Sequence, residues 1–357
     1  MRPCVRSSIA VLAAWMICSA VADSARGGLF VSPIGGTPYQ DWTIVNYVDL
    51  APGAGIVDYR GGNYTYNGHN AIDYTLANFA AMDAGISVNA AAAGTVIAVH
   101  DGEYDRWSRV NPNPGHQANY VVIDHGDGII TEYLHLKKHS ISVSVGQAVA
   151  AGQPIGEVGS SGNSSDAHLH FAVYEHGQVV ETYLDPDRWW IDPLPYSGDV
   201  AGSLDHGVVN HIPTTAELVD RPVETEVFRQ IDGPLQGAFL WMHLHGISAG
   251  DTFDAYVYRP DGDLYHHMHW SAPQIRYGWW IAAVLLPGKP DLGTWQIDFQ
   301  HNGATLVADS FRVIVPEPAS VVPASLALVG LAVLVRTTRA RGGRRERNTR
   351  PLVVRST

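Results

Sequence analysis

From Val121 to Val158 apolar and polar residues alternate, and glycine punctuates the run at Gly146, Gly152 and Gly156. A period of two puts successive side chains on opposite faces of a strand, so this stretch has an all-β signature. It must bury one face of a sheet and leave the other free. The chain has 357 residues, enough for two ordinary domains. Its 46% hydrophobic and 16% charged content suits a globular, β-rich protein, and 36 glycines and 21 prolines imply many turns.

Chemistry-bearing residues sit in or beside the same stretch. His168-Leu169-His170 follows it, His135 lies inside Tyr133-Leu134-His135-Leu136, and His69 and Asp73 stand upstream. Strand geometry points His168 and His170 one way and Leu169 into the core. By the same rule Tyr133 and His135 point opposite to Leu134 and Leu136. His69 and Asp73, four apart, share a face in a strand or a helix. Each motif thus offers a polar face backed by an apolar one, a mounting suited to a metal. Catalytic zinc commonly takes three protein ligands and leaves one position for water, whose pKa falls towards about 7. Two imidazoles and a carboxylate would leave such a site at net +1, with two histidines over to orient the water and stabilise an oxyanion.

These motifs resemble the lysostaphin-type (LytM-like) zinc metallopeptidases of the duplicated-hybrid-motif fold, which cut peptide cross-links in bacterial cell walls. Their pattern is H-x-G-x-D, then Y-x-H-L, then H-x-H, and His69 to Asp73, Tyr133 to Leu136 and His168 to His170 follow in that order. The intervening Gly146-Gln147-Ala148-Val149, Gly152-Gln153-Pro154-Ile155-Gly156 and Gly159 to Asn163 are also similar to that family. The likeness runs over roughly residues 30 to 190. It implies one Zn²⁺ per chain held by His69, Asp73 and His170, with His135 and His168 as the catalytic pair, and peptidoglycan peptides as substrate. Ala71 replaces the usual glycine of the first motif, Ala167 stands where proline often precedes H-x-H, and Ala172 follows Phe171 where an acidic residue is common. None of these removes a ligand. The V-x-x-G-Q-x-V core also resembles biotinyl- and lipoyl-carrier domains, but Lys137, Lys138 and Lys289 do not sit on a suitable hairpin tip.

Residues 1–22 read as a secretory signal, with Arg2 and Arg6, an apolar Ile9 to Val21 and an Ala20-Val21-Ala22 cleavage site. The two cysteines, Cys4 and Cys18, would leave with it, so the exported protein would rest on its core and on zinc rather than on disulfides. Residues 27–200 form the expected peptidase domain. Within it, 101–118 look like an insertion of the kind that borders active sites, and His116 there lacks a paired spacing. Asn63-Tyr64-Thr65 matches a glycosylation sequon, a pattern too short to be specific. Residues 201–225 read as a linker and 226–315 as a small β-sandwich, with strands at Phe239 to Leu244, Phe253 to Tyr258, Trp279 to Leu285, Thr294 to Phe299 and Ser310 to Val315. The sandwich has histidines of its own (His243, His245, His266, His267 and His269), better read as aromatic-rich strand faces than as a second metal site.

The end of the chain, 316–357, opens with Pro316-Glu317-Pro318, runs through apolar 319–335 and ends in an arginine cluster. It resembles a PEP-CTERM sorting signal, which implies a membrane segment and processing by an exosortase-type enzyme. A plain anchor is the alternative. The fold expected overall is mainly β: a lysostaphin-like β-sheet or barrel peptidase domain, a β-sandwich, and a C-terminal membrane segment. The formal charge is −12, and both ends are basic, so the body between them is more acidic still. That disfavours nucleic acid as a partner. The function expected is an exported zinc metalloendopeptidase, periplasmic or at the cell surface and membrane-associated through its tail. An inactive relative that binds the wall or activates another hydrolase, or a structural surface protein, are the alternatives. Retention of every ligand and of both catalytic histidines argues against them.

Overall fold

A computed structural model describes residues 27–112, 115–230 and 235–316. The first part holds strands β1 (Trp42–Asn46), β2 (Ile72–Leu76), β3 (Ser87–Asn89), β4 (Gly94–His100), β5 (Tyr120–Gly126), β6 (Ile129–Leu134), β7 (Ala148–Val149), β8 (Pro154–Glu157), β9 (His168–Glu175) and β10 (Gln178–Val179). Helices α1 (Phe79–Ala84) and α2 (Pro186–Trp189) are short. The main sheet is antiparallel, in the order β1-β2-β9-β6-β5-β4-β7, with β10 beside β9. It is an open sheet rather than a closed barrel, and β3 and β8 form a separate ribbon.

Local sequence explains the hairpins. In β5, Val121 and Ile123 are fully buried, as the alternation demands. The turn into β6 is Asp127-Gly128, with φ of +50° and +78°. Positive φ at both central residues is what a tight two-residue hairpin turn requires, and Asp-Gly meets it at low cost. On β9, Leu169 and Phe171 are fully buried while His168 and His170 are only partly so. Phe30, Trp42, Tyr74, Tyr133 and Trp189 complete this core. Burying one such large side chain contributes about 1.5–3 kcal/mol.

The second part holds β11 (Gly202–Val209), α3 (Thr215–Asp220), β12 (Val227–Arg229), β13 (Gly237–Ile247), β14 (Thr252–Tyr258), β15 (Leu264–Ser271), β16 (Ile275–Leu285), β17 (Gly293–His301) and β18 (Ala304–Ile314). A three-stranded sheet, β11-β13-β16, packs over a five-stranded one, β12-β18-β17-β14-β15, through Leu240, Met242, Leu244, Phe253, Trp295 and Phe299. The sandwich has the expected strands plus the short β12 and plus β15, whose exposed histidines hide its pattern. Residues 201–225 differ from the linker expected of them. They carry β11, hydrogen-bonded to β13, and α3, closed by a capping box between Thr214 and Glu217.

The described residues up to Ile314 form one compact unit. The outer face of the three-stranded sheet explains why. Tyr277 Oη donates to Leu76 O at 2.6 Å, Asn78 Nδ2 donates to Asp205 Oδ2 at 2.7 Å, and Arg276 donates to the carbonyls of Asn63 and Thr65. His243, its ring tilted against Tyr277, is buried there, and burial pushes its pKa down to about 3. Gly246 sits in β13 at φ +66°, and a Cβ on it would meet Val200 O at 1.9 Å. Gly246→Ala combines left-handed strain with a backbone clash, and a loss of about 2–5 kcal/mol is expected in urea unfolding. A loss below about 1 kcal/mol would show that the contact between the two parts is loose.

The secretory signal and most of the sorting tail lie outside the described residues. Among the described residues no helix is long and apolar enough to cross a membrane.

Candidate functional site

The site lies where β2, β9 and β6 run side by side. Register pairs Asp73 with His170 across β2 and β9, and Leu134 with His170 across β6 and β9. His69 precedes β2 in a loop whose course is set by backbone contacts. Tyr47 N donates to Tyr64 O, and Asp49 N donates to His69 O at 2.8 Å. His69 Nδ1–H donates to Tyr47 O at 2.9 Å, so its Nε2 carries the lone pair. That Nε2 is buried, lies 3.0 Å from Asp73 Oδ2 and makes no hydrogen bond. His170 Nδ1 lies 3.0 Å from Asp73 Oδ1. Asn46 Nδ2 donates to Asp73 Oδ2 at 2.8 Å and orients the carboxylate.

His135 reaches the site by a route that alternation does not predict. Tyr133 and Leu136 both point into the core, and His135 between them stands at φ +65° just beyond the end of β6. Left-handed backbone at a non-glycine residue costs about 1–3 kcal/mol and needs support from its surroundings. Here Asn119 and Ser161 supply it. Asn119 Nδ2 and Ser161 Oγ both donate to Leu136 O, and His135 Nδ1–H donates to Ser161 O at 2.6 Å. His168 Nδ1–H donates to Asp166 O at 2.8 Å. Both rings therefore leave Nε2 as the free acceptor, and their centroids are 4.5 Å apart.

Two overlapping trios bring potential ligand atoms within 4.8 Å of one another: His69, Asp73 and His170, and His135, His168 and His170. The donor set fits a divalent cation. A buried lone pair facing a carboxylate without a hydrogen bond between them is stabilised only by a proton or a cation. Electrostatics separates the trios. Burial would raise the Asp73 pKa, but the charges of His69 and His168 and the close approach of the His170 and His69 rings hold it well below its usual range. Burial would lower His69, but Asp73 and the contact with Tyr47 O outweigh it and raise it. Burial, then the neighbouring His168 and His170, holds His135 neutral, well below its usual value. The first trio has a carboxylate and attracts positive charge; the second has none.

A groove of about 330 Å³ runs past Asp73, His135 and His168. Ser108, Arg109 and Pro112 from the expected insertion border it, and Arg109 Nη2 is tied to Asp166 at 2.7 Å. His116 is not among the groove residues; it packs near Trp107. Tyr277 of the sandwich also lines the groove. Sequence reasoning misses Asn46, Ser161, Asp166 and Tyr277, because none carries a spacing signal. All four arrive through register, carbonyl contacts or docking of the second sheet.

The mainly β first part thus sets clustered His and Asp donors, able to hold a metal ion, at the edge of a groove. Residues 67–182, which contain all five candidate residues, match the family model of Peptidase family M23. The chain is 37% identical over 112 residues to the Peptidoglycan DD-endopeptidase ShyA of Vibrio cholerae, covering 31% of this chain and 21% of that protein. It is 30% identical over 158 residues to the lysostaphin of Staphylococcus staphylolyticus, covering 44% and 28%. It is also 42% identical over 69 residues to the murein hydrolase activator EnvC of Escherichia coli, covering 19% and 15%. The chain thus spans less than a third of the length of each of these relatives.

Proposed function

We propose that this chain is an exported zinc metalloendopeptidase that hydrolyses peptide bonds of peptidoglycan cross-links. In this reading His69, Asp73 and His170 hold one Zn²⁺, and His135 and His168 move protons. The observation that carries it is the buried, unpartnered His69 Nε2 set 3.0 Å from a carboxylate oxygen, with His170 Nδ1 3.0 Å from the other. A zinc ion there would supply Lewis acidity, lowering the pKa of a water and polarising a carbonyl.

The protein's own groups do the rest. His135 is neutral and presents Nε2 to the groove, which suits it to take a proton at that atom. His168, its Nδ1–H fixed on Asp166 O, presents a second Nε2 acceptor beside it, and the proton taken from the water at these nitrogens is the one returned to the departing amine nitrogen. Asn46 and Tyr47 hold Asp73 and His69 in place. Arg109, Tyr66 and Tyr277 shape the groove for an extended chain. Export and retention at the membrane by a sorting enzyme belong to the same proposal. They rest on the sequence of the two ends alone.

The test is zinc analysis of the purified protein beside mass spectrometry of sacculi digested with it. One zinc per chain and new peptide termini in cross-linked muropeptides are expected. Bound zinc with no cleaved peptide bond would overturn the peptidoglycan substrate. No zinc and no cleavage would leave the activator reading, for which the match to EnvC speaks.

A further inference from the structure

We propose that the solvent face of the five-stranded sheet is a binding site for an uncharged oligosaccharide. On β14, Tyr256 and Tyr258 lie two apart on the outer face, with ring centroids 6.5 Å apart and planes within 19° of each other. Register sets His267 of β15 on one side of Tyr256 and Asp298 of β17 on the other. His267 stacks on Tyr256 at 4.4 Å with planes 3° apart, which covers the β15 side of that ring. The opposite ring face therefore turns towards β17. His267 is itself held, since its Nε2–H donates to Asp254 Oδ1 at 2.8 Å. The two tyrosines form an aromatic wall that is ordered before any ligand arrives, and this lowers the entropic cost of binding.

Beyond the wall the floor is polar and the far side is low. Gln296 pairs with Tyr258 and Asp298 with Tyr256. On β18 the next residues across are Ser310 and Ala308, too small to fill the space. They leave a groove of about 410 Å³ lined by Tyr258, Gln296, Asp298, Ala308 and Ser310. Asp298 stands on the floor of this groove, where Gln300 Nε2 donates to its Oδ2 at 2.6 Å and holds the carboxylate as a fixed acceptor.

An apolar ring face beside amide and carboxylate acceptors is matched by a sugar ring, which has C–H faces and a hydroxyl rim. The carboxylate of Asp298 at this groove disfavours an anionic ligand, so a polyanion does not fit.

The test is calorimetric titration of the full chain with the tetramers of N-acetylglucosamine and of glucose. At least one is expected to bind. Tyr258→Ala should weaken that binding about tenfold or more, Tyr258→Phe should keep it within about threefold, and Ala308→Trp should abolish it by filling the groove. Melting temperature and zinc content verify that each variant is folded. If neither tetramer binds, or if Tyr258→Ala and Ala308→Trp both bind as the parent does, the site is not a saccharide site. None of these residues belongs to the His/Asp cluster of the first part, so failure here would leave the peptidase reading untouched.

Discussion

His170→Ala is expected to lose both the metal and all measurable hydrolysis. His170 is the residue common to the two trios, so its removal leaves two donors in either. The informative comparison is among the other four. Asp73→Ala and His69→Ala should also lose zinc, because one removes the only charge in the ligand set and the other removes the buried Nε2. His135→Ala and His168→Ala should keep about one zinc per chain while the rate falls by about 10²–10⁴-fold, the range for a positioned acid–base group. The measurement is elemental zinc per protein beside the rate on a cross-linked peptide. Metal loss in His135→Ala with metal retained in Asp73→Ala would assign the ion to the second trio and reverse the roles.

Zinc binding should strengthen steeply from pH 5 to pH 8. In the metal-free protein His69 is raised above its ordinary 6.5, and Asp73 is held well below its ordinary 3.8. The His69 contribution to stability is present below its unfolded value and is lost as pH rises through the raised folded value. The Asp73 contribution is present above its unfolded value and is lost only as pH falls through the depressed folded value. The metal-free pair is therefore most stabilising between those two points. Zinc requires both groups without protons, so it displaces the His69 proton, and affinity should rise about tenfold per pH unit until that proton is gone. The zinc-induced increase in melting temperature should accordingly be small at pH 5 and large at pH 8. A shift independent of pH would mean that His69 is not a ligand.

Much of the site is legible in the sequence. His168-Leu169-His170 on a strand can present its histidines to only one side, because Leu169 has to be buried, and it is fully buried. The Asp127-Gly128 turn and the Val121/Ile123 alternation likewise specify the β5–β6 hairpin locally. His135 is different. Strict alternation puts it on the face of Tyr133, and the positive φ that re-aims it is sustained by Asn119 and Ser161, residues distant in sequence.

Side-chain period and turn chemistry act within a few residues of each other. They are enough to set the β class of the first part and most of the strands of the sandwich. They do not say which donors converge on Asp73, that 201–225 folds into β11 and α3, or that Tyr277 borders the groove. Nor do they place Tyr256 and Tyr258 opposite Asp298 across a gap left by Ala308. Those features arise from register and docking between strands far apart in the chain, where side-chain pattern carries no information about the partner.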